Sequence, residues 1–192
     1  MLSELDRDFT AGLTEVRAAP RVLGRLQGIV RRPAVDVRES LAEAELDEEL
    51  GLIGDGWLSR GSRAMADGSA DPAAQLTLIS TRVLRAIEPD PLRWPLAGDQ
   101  LYVDLDLTIE NLPPGSQLAI GSAVIEVSAT PHIGCAKFSA RFGSDALRWV
   151  NSPVGRIHRM RGMNTRIVES GTIRVGDEIR VVSRGPASAP PS

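Results

Sequence analysis

Cysteine is nearly missing from this sequence. Cys135 stands alone, which excludes an internal disulfide framework and points to a reducing compartment. Histidine occurs twice, as His132 and His158. With one thiol, that set is too poor for a structural zinc site, which needs four ligands of suitable type. Aromatic residues make up 4% of the chain and do not interleave with the basic side chains, so no nucleic-acid partner is expected. The longest apolar-rich stretch, "LAIGSAVIEV", is too short to cross a bilayer, and "MLSELDRDFTAGLTEV" at the start has no signal-peptide core. The expectation is a cytoplasmic protein without a membrane partner. No GxSxG elbow, Walker A loop or dinucleotide fingerprint is present.

Scarcity makes one segment conspicuous. In "TPHIGCAKFSARFG", from Thr130 to Gly143, the only cysteine, the only lysine (Lys137) and one of the two histidines lie within six positions. A thiol reacts or ligates as thiolate, and nearby positive charge stabilises that form. Lys137 and Arg141 would supply the charge, and His132 could exchange a proton with Cys135 across a loop. The same stretch also suits an inert buried thiol beside a surface lysine. A Schiff base to pyridoxal phosphate would have to use Lys137, which speaks against an intrinsic PLP enzyme.

Charge is uneven along the chain. The net value is −3, yet residues 136–192 hold ten basic and four acidic side chains, so residues 1–135 carry −9. The segment "GRIHRMRGMNTR" contains Arg156, Arg159, Arg161 and Arg166, and arginine forks suit phosphate. A small anionic ligand fits this asymmetry better than a polymer does.

Hydrophobic periodicity and 18 glycines with 13 prolines predict many short elements. Leu2, Leu5, Phe9, Leu13 and Val16 form a helical stripe ended by Pro20. "RVLGRLQGIVRR", "AQLTLIS", "LYVDLDL", "QLAIGSAVIEVSA" and "NTRIVESGTIRVGDEIRVV" read as strands, and "TRVLRAI" and "GSDALRWVN" as short helices, the latter capped by Ser144 or Asp145. "ESLAEAELDEEL" reads as a short acidic helix or solvated loop, and "GLIGDGWLSRGSRAMADGSADP" as a long, functional loop. The expected division is an amphipathic helix over 1–20, a β-barrel domain over 21–184 and a disordered tail over 185–192. The class is mainly β with a few short peripheral helices.

The ordered set "GLIGDGW", "QLTLIS", "IENLPPGSQLAIGSAVIEVSATPHIGC" and "GTIRVGDEIRVV" resembles the MOSC domain, the C-terminal module of molybdenum cofactor sulfurases that also occurs as stand-alone bacterial proteins. The resemblance spans about Val22 to Val182 and implies a MOSC-type β-barrel, its last segment being a closing hairpin. It also implies that the protein binds molybdenum cofactor (molybdopterin) or carries sulfur, with Cys135 as metal ligand or persulfide carrier. Pyridoxal phosphate would then enter only through a partner cysteine desulfurase, and a molybdoenzyme would be the other protein partner. An enzymatic role would be sulfur transfer or cofactor-dependent reduction of N-hydroxylated compounds. Candidate catalytic residues are Cys135, His132 and Lys137. Candidate cofactor-binding residues are Asp55, Arg60, Arg63, Asn111, Arg141, Arg156 and Arg166. Gly56 stands where the family often has arginine, a charge that Arg60 or Arg63 could replace. Ile109 stands where glycine commonly precedes the "ENL" segment. The competing reading is a non-catalytic small-ligand or protein-interaction barrel in which Cys135 is structural.

Overall fold

A computed structural model describes residues 9–186. Leu2 and Leu5 of the predicted helix, and all of the expected tail beyond Pro186, lie outside the described residues. Eleven strands and six short helices are arranged as a closed barrel, a small second sheet and a helical cover on one side.

The barrel strands are β1 (Leu23–Arg31), β5 (Leu76–Ser80), β6 (Leu101–Asp104), β7 (Gln117–Ile120), β8 (Ala123–Val127), β9 (Met163–Glu169) and β11 (Glu178–Ser183). They run in the order β11-β7-β8-β9-β5-β6-β1, and pairing of β1 with β11 closes the ring. All pairings around the ring are antiparallel except β5 with β6. A parallel pair needs a crossover, and the helix over Thr81–Ile87 lies within it. Period-two side chains fill the interior: Leu101, Val103, Leu105 and Leu107 all face one buried cluster with Leu26, Ile125 and Ile179. The alternation in "LYVDLDL" is therefore real, but Tyr102 is buried as well, because helices cover the outer face there.

That cover comprises α1 (Thr10–Arg17), α3 (Thr81–Ile87), α4 (Ala136–Phe142), α5 (Ser144–Asn151) and a tight helical segment over Pro91–Ala97. It packs Val16, Val83, Leu84, Phe138, Phe142 and Val150 onto the outward side chains Val30, Ile79 and Tyr102. Phe9 stacks on Trp149 at 4.5 Å between ring centres, fixing α1 against α5. Two short helices complete the set, α2 (Trp57–Arg60) and α6 (Pro153–Ile157).

Four local expectations are corrected. "ESLAEAELDEEL" is extended, as β2 (Glu39–Leu41) and β3 (Glu43–Asp47). Ala44 and Leu46 point inward between exposed Glu43 and Glu45, so burial against a partner strand overrides the poor β preference of glutamate. "GTIRVGDEIRVV" is not a hairpin. Its first half, β10 (Gly171–Arg174), pairs with β3 in the second sheet, whose third strand is β4 (Gly51–Leu52). Its second half is β11 of the barrel, so the "VGDE" turn moves the chain between sheets. α5 starts at Gly143 without a side-chain cap from Ser144 or Asp145. α4, unrecognised as a helix in the sequence, is marked by Phe138 and Phe142 one turn apart, both buried and in ring contact at 4.9 Å.

Strand register gathers several loops at one rim. Ile29 faces Leu101, Leu101 faces Leu78, Leu78 faces Met163, and Thr165 faces Val127. The ends of β1 and β8 therefore meet the starts of β6 and β9.

Candidate functional site at the barrel rim

Each rim loop contributes one part of the site. The loop after β8 carries His132 and leads to Cys135, which is the exposed N-cap residue of α4. Gly134 fixes that loop: its N–H donates to Asn151 Oδ1 at 2.9 Å, and its carbonyl accepts from Asn151 Nδ2 at 3.2 Å. The thiol makes no formed capping hydrogen bond. The backbone N–H of Phe138 nonetheless faces it, followed by that of Lys137, and with the positive charges of Arg161 and Arg141 these outweigh partial burial and lower the thiol's pKa. Lys137 thus acts on the sulfur through its backbone, while Arg161 is a contributor the sequence did not single out.

Behind the loop lies a trio of buried Asp99, buried Arg161 and half-buried His132. Asp99, just before β6, is fully buried and pairs with Arg161 at 2.7 Å. Its other oxygen lies 3.5 Å from His132 Nδ1. Arg161 also donates to Ala97 O at 3.0 Å and lies over the Phe138 ring at 4.9 Å. Burial depresses His132 to about 4, with Asp99 opposing and Arg161 and Arg32 reinforcing the shift. His132 is therefore a neutral imidazole at physiological pH. No hydrogen bond joins it to Cys135 among the described residues, so the thiolate rests on backbone amides and arginines and needs no imidazolium ion pair. Gly162 makes room for the trio. Its φ is +100°, and a Cβ there would sit 2.3 Å from Leu78 O and 3.2 Å from Asp99 Oδ1.

A basic hollow of about 420 Å³ adjoins the first turn of α4. Arg32, Arg38, Arg60 and Lys137 line it, with Gly56, Ser59 and one carboxylate, Asp36, which pairs with Arg141. Asp55 is not a free ligand for it. Fully buried, Asp55 accepts from Arg32 Nε at 3.0 Å, from the Arg32 backbone N–H at 2.8 Å and from the Trp57 backbone N–H at 2.9 Å, and so aims the Arg32 guanidinium. Gly56 packs on the Arg32 carbonyl, 3.0 Å from where a Cβ would stand. Arg60 lines the hollow and Arg63 does not. Arg38 Nε is buried without a partner, and burial with the neighbouring charges of Arg141 and Arg32 lowers the Arg38 pKa. Burial and Arg32 lower Arg60 likewise. Crowded cations of this kind are relieved by an anion.

The remaining candidates divide cleanly. Arg141 braces the rim by donating to Leu96 O at 2.9 Å and pairing with Asp36 at 3.2 Å. Arg156 lines a separate hollow beside His132. Asn111 is buried and spent on structure: its amide donates to Asp106 O and Arg21 O and accepts from Arg184. Arg166 points outward from β9 and pairs with Glu126 at 2.8 Å. The alternation of Thr165, Arg166 and Ile167 in that strand already assigns Arg166 to the outer face. Arg32, Arg38 and Asp99 are the rim residues that sequence reasoning missed, and Arg161 was named only as one of a cluster suited to phosphate, not as a neighbour of the thiol. Among the described residues no three of His, Cys, Asp and Glu converge as a metal site, so a metal here would have Cys135 as its sole thiolate ligand.

The closed barrel thus carries an exposed thiol and a cationic hollow at one rim. The MOSC domain matches residues 67–180, and the chain belongs to that family. The matched region begins after β1 and the Asp55 loop, yet both are built into the same barrel and rim. The structure of the YUAD protein from Bacillus subtilis is similar at a TM-score of 0.65 and 16% identity, over 85% of this chain and 97% of that one. YiiM from Escherichia coli aligns at 0.55 and 22% identity, over 84% and 71%. YiiM from Geobacillus stearothermophilus aligns at 0.56 and 15% identity, over 84% and 76%. No curated protein matches the chain.

Proposed function

We propose that this MOSC protein binds molybdenum cofactor at the barrel rim, with Cys135 as thiolate ligand and the Arg32, Arg38, Arg60 and Lys137 hollow as the seat of the cofactor's phosphate. The observation that carries the reading is the pairing of an exposed, acidified thiol with that hollow, whose wall begins two residues further along α4. The residues suit the group: a soft ligand for molybdenum, and arginine forks, one with an orphaned Nε, for an anion. When bound, the cofactor would supply two-electron redox chemistry at its metal. The chain's own part is to favour the thiolate form of Cys135, to hold Arg32 in place through Asp55, and to keep His132 neutral beside Asp99. A reductase acting on N-hydroxylated compounds is one use of such a site.

Exposure of Cys135 favours a second reading, sulfur carriage, because a donor protein can reach the thiol. A cysteine desulfurase, holding its own pyridoxal phosphate, would transfer sulfane sulfur from its persulfide to Cys135. The donor would regain its thiol, Cys135 would become a persulfide, and the sulfur would pass on to a molybdoenzyme. A lone exposed thiol is best kept in a reducing compartment, so the cytoplasm is the proposed setting.

Purification from cells that make molybdenum cofactor tests both. Near-stoichiometric molybdenum and pterin, with metal lost in Cys135→Ser and both weakened in Arg32→Met with Arg38→Met, is the expected result. Persulfide on Cys135 by mass spectrometry without molybdenum or pterin would select sulfur carriage. Absence of all three would leave the interaction-barrel reading.

A further inference from the structure

A second hollow, of about 570 Å³, opens on the other side of the loop that carries His132. Its size is that of a small-molecule site. Ile109, Pro114, Ile133, Val150 and Met163 give it mainly apolar walls, and three arginines line it as well, Arg156, Arg159 and the Asp99-bound Arg161.

Arg159 is unlike its neighbours. Arg32, Arg141 and Arg161 each hold a carboxylate. Arg159 holds none among the described residues. One amino group donates to Leu112 O at 2.6 Å, with longer contacts to Leu107 O at 3.4 Å and Met163 Sδ at 3.7 Å. Burial alone pulls its pKa down to about 10. Its backbone adopts φ +44°, a left-handed conformation that a non-glycine residue keeps only where the surroundings impose it. A strained backbone therefore holds an uncompensated guanidinium at the wall of an apolar chamber. A half-buried charge with no counter-ion is unfavourable, and an anion entering the chamber supplies one. Arg156 adds positive charge at the same wall, and Asn151 and Thr130 offer polar groups for orientation.

We propose that this chamber binds a small monocarboxylate with an apolar body, its carboxylate on Arg159 and its apolar part against Ile109, Ile133, Val150 and Met163. The bound acid would lie against His132, which lines the same chamber. Binding here requires neither metal nor sulfur on Cys135, so it stands apart from the cofactor reading.

Calorimetric titration of the purified protein with benzoate, benzamide and inorganic phosphate tests it. Benzoate should bind at least about tenfold more tightly than benzamide, the worth of one charge-assisted contact, and phosphate should not displace it. Arg159→Gln should reduce benzoate affinity by a similar factor. Ala129→Trp, an exposed wall position filled with a large side chain, should abolish binding while leaving the far-ultraviolet circular dichroism unchanged. Equal binding of benzoate and benzamide would overturn the proposal. So would displacement by phosphate, undiminished binding in either variant, or no benzoate binding at millimolar concentration. If Arg159→Gln fails to fold, the ligand comparison and Ala129→Trp still decide.

Discussion

At the scale of single residues, the site separates two jobs that the sequence spacing assigns to three neighbours. Acidification of Cys135 comes from the Phe138 and Lys137 amides and from Arg161 and Arg141, while His132 is kept neutral by burial. Alkylation of native protein by iodoacetamide should therefore show a midpoint below the ordinary thiol value of about 8.5, and Arg141→Met should move it upward by a fraction of a unit. A midpoint at or above the ordinary value in the native protein would refute the activated thiolate. His132 makes a prediction of opposite character. Its folded value, about 4, lies below the ordinary value of 6.5, so the unfolded chain takes up the proton first as pH falls. Stability is unaffected above about 6.5 and declines between there and about 4, by up to about 3 kcal/mol for this group. Urea midpoints across that range should fall more steeply for the native chain than for His132→Gln. Parallel profiles would refute the buried neutral imidazole.

At the scale of elements, the rim is held by a few connections whose loss should be costly. Asp55, its side chain enclosed, and half-buried Arg32 form an ion pair bridging the loops after β1 and β4. Asp55→Ala strands the guanidinium, and a loss of about 3–5 kcal/mol in chemical denaturation is expected. A loss below 1 kcal/mol would mean the pair is dispensable. Phe138→Ala should cost about 3–5 kcal/mol through the cavity it leaves, and should also raise the Cys135 midpoint, because the same residue's backbone anchors the start of α4. Element-level reading of the sequence worked where one face was buried in period two, as in "LYVDLDL", and where a helix stripe was regular, as in Phe9, Leu13 and Val16. It failed at "ESLAEAELDEEL", where glutamate spacing suits a helix and pairing with β1, β4 and the distant β10 makes it extended. It failed again at α4, too short for a full amphipathic pattern. The reactive stretch was legible because its residue types are rare in this chain. Asp99 and Arg32 were not, since an aspartate after a turn glycine and an arginine before a proline look alike in a site and in a surface loop.

At the scale of the whole molecule, two hydrophobic clusters share one barrel wall. The interior set built on Leu26, Leu78 and Ile125 faces inward, and the set built on Ile79, Tyr102 and Phe138 faces the helices. Adjacent residues such as Leu78 and Ile79 serve both, so damage to either cluster should be felt in a single cooperative transition. Gly162→Ala tests this from the rim. The substitution meets Leu78 O in a left-handed backbone and should cost more than about 1 kcal/mol, with fluorescence of the tryptophans and far-ultraviolet circular dichroism melting together. Separate transitions would show that the helical cover unfolds on its own.

Closure of the ring has a consequence for the protein's birth. β1 is the first barrel strand and β11 the last, and each has the other as a neighbour. A nascent chain emerging from the ribosome can assemble β5, β6 and β9, but the seam between β1 and β7 stays open until Ser183 has cleared the exit tunnel. During that interval two unpaired edges are available to other chains. Synthesis of this barrel thus carries a window of vulnerability, and it ends with a single strand sliding into a waiting gap.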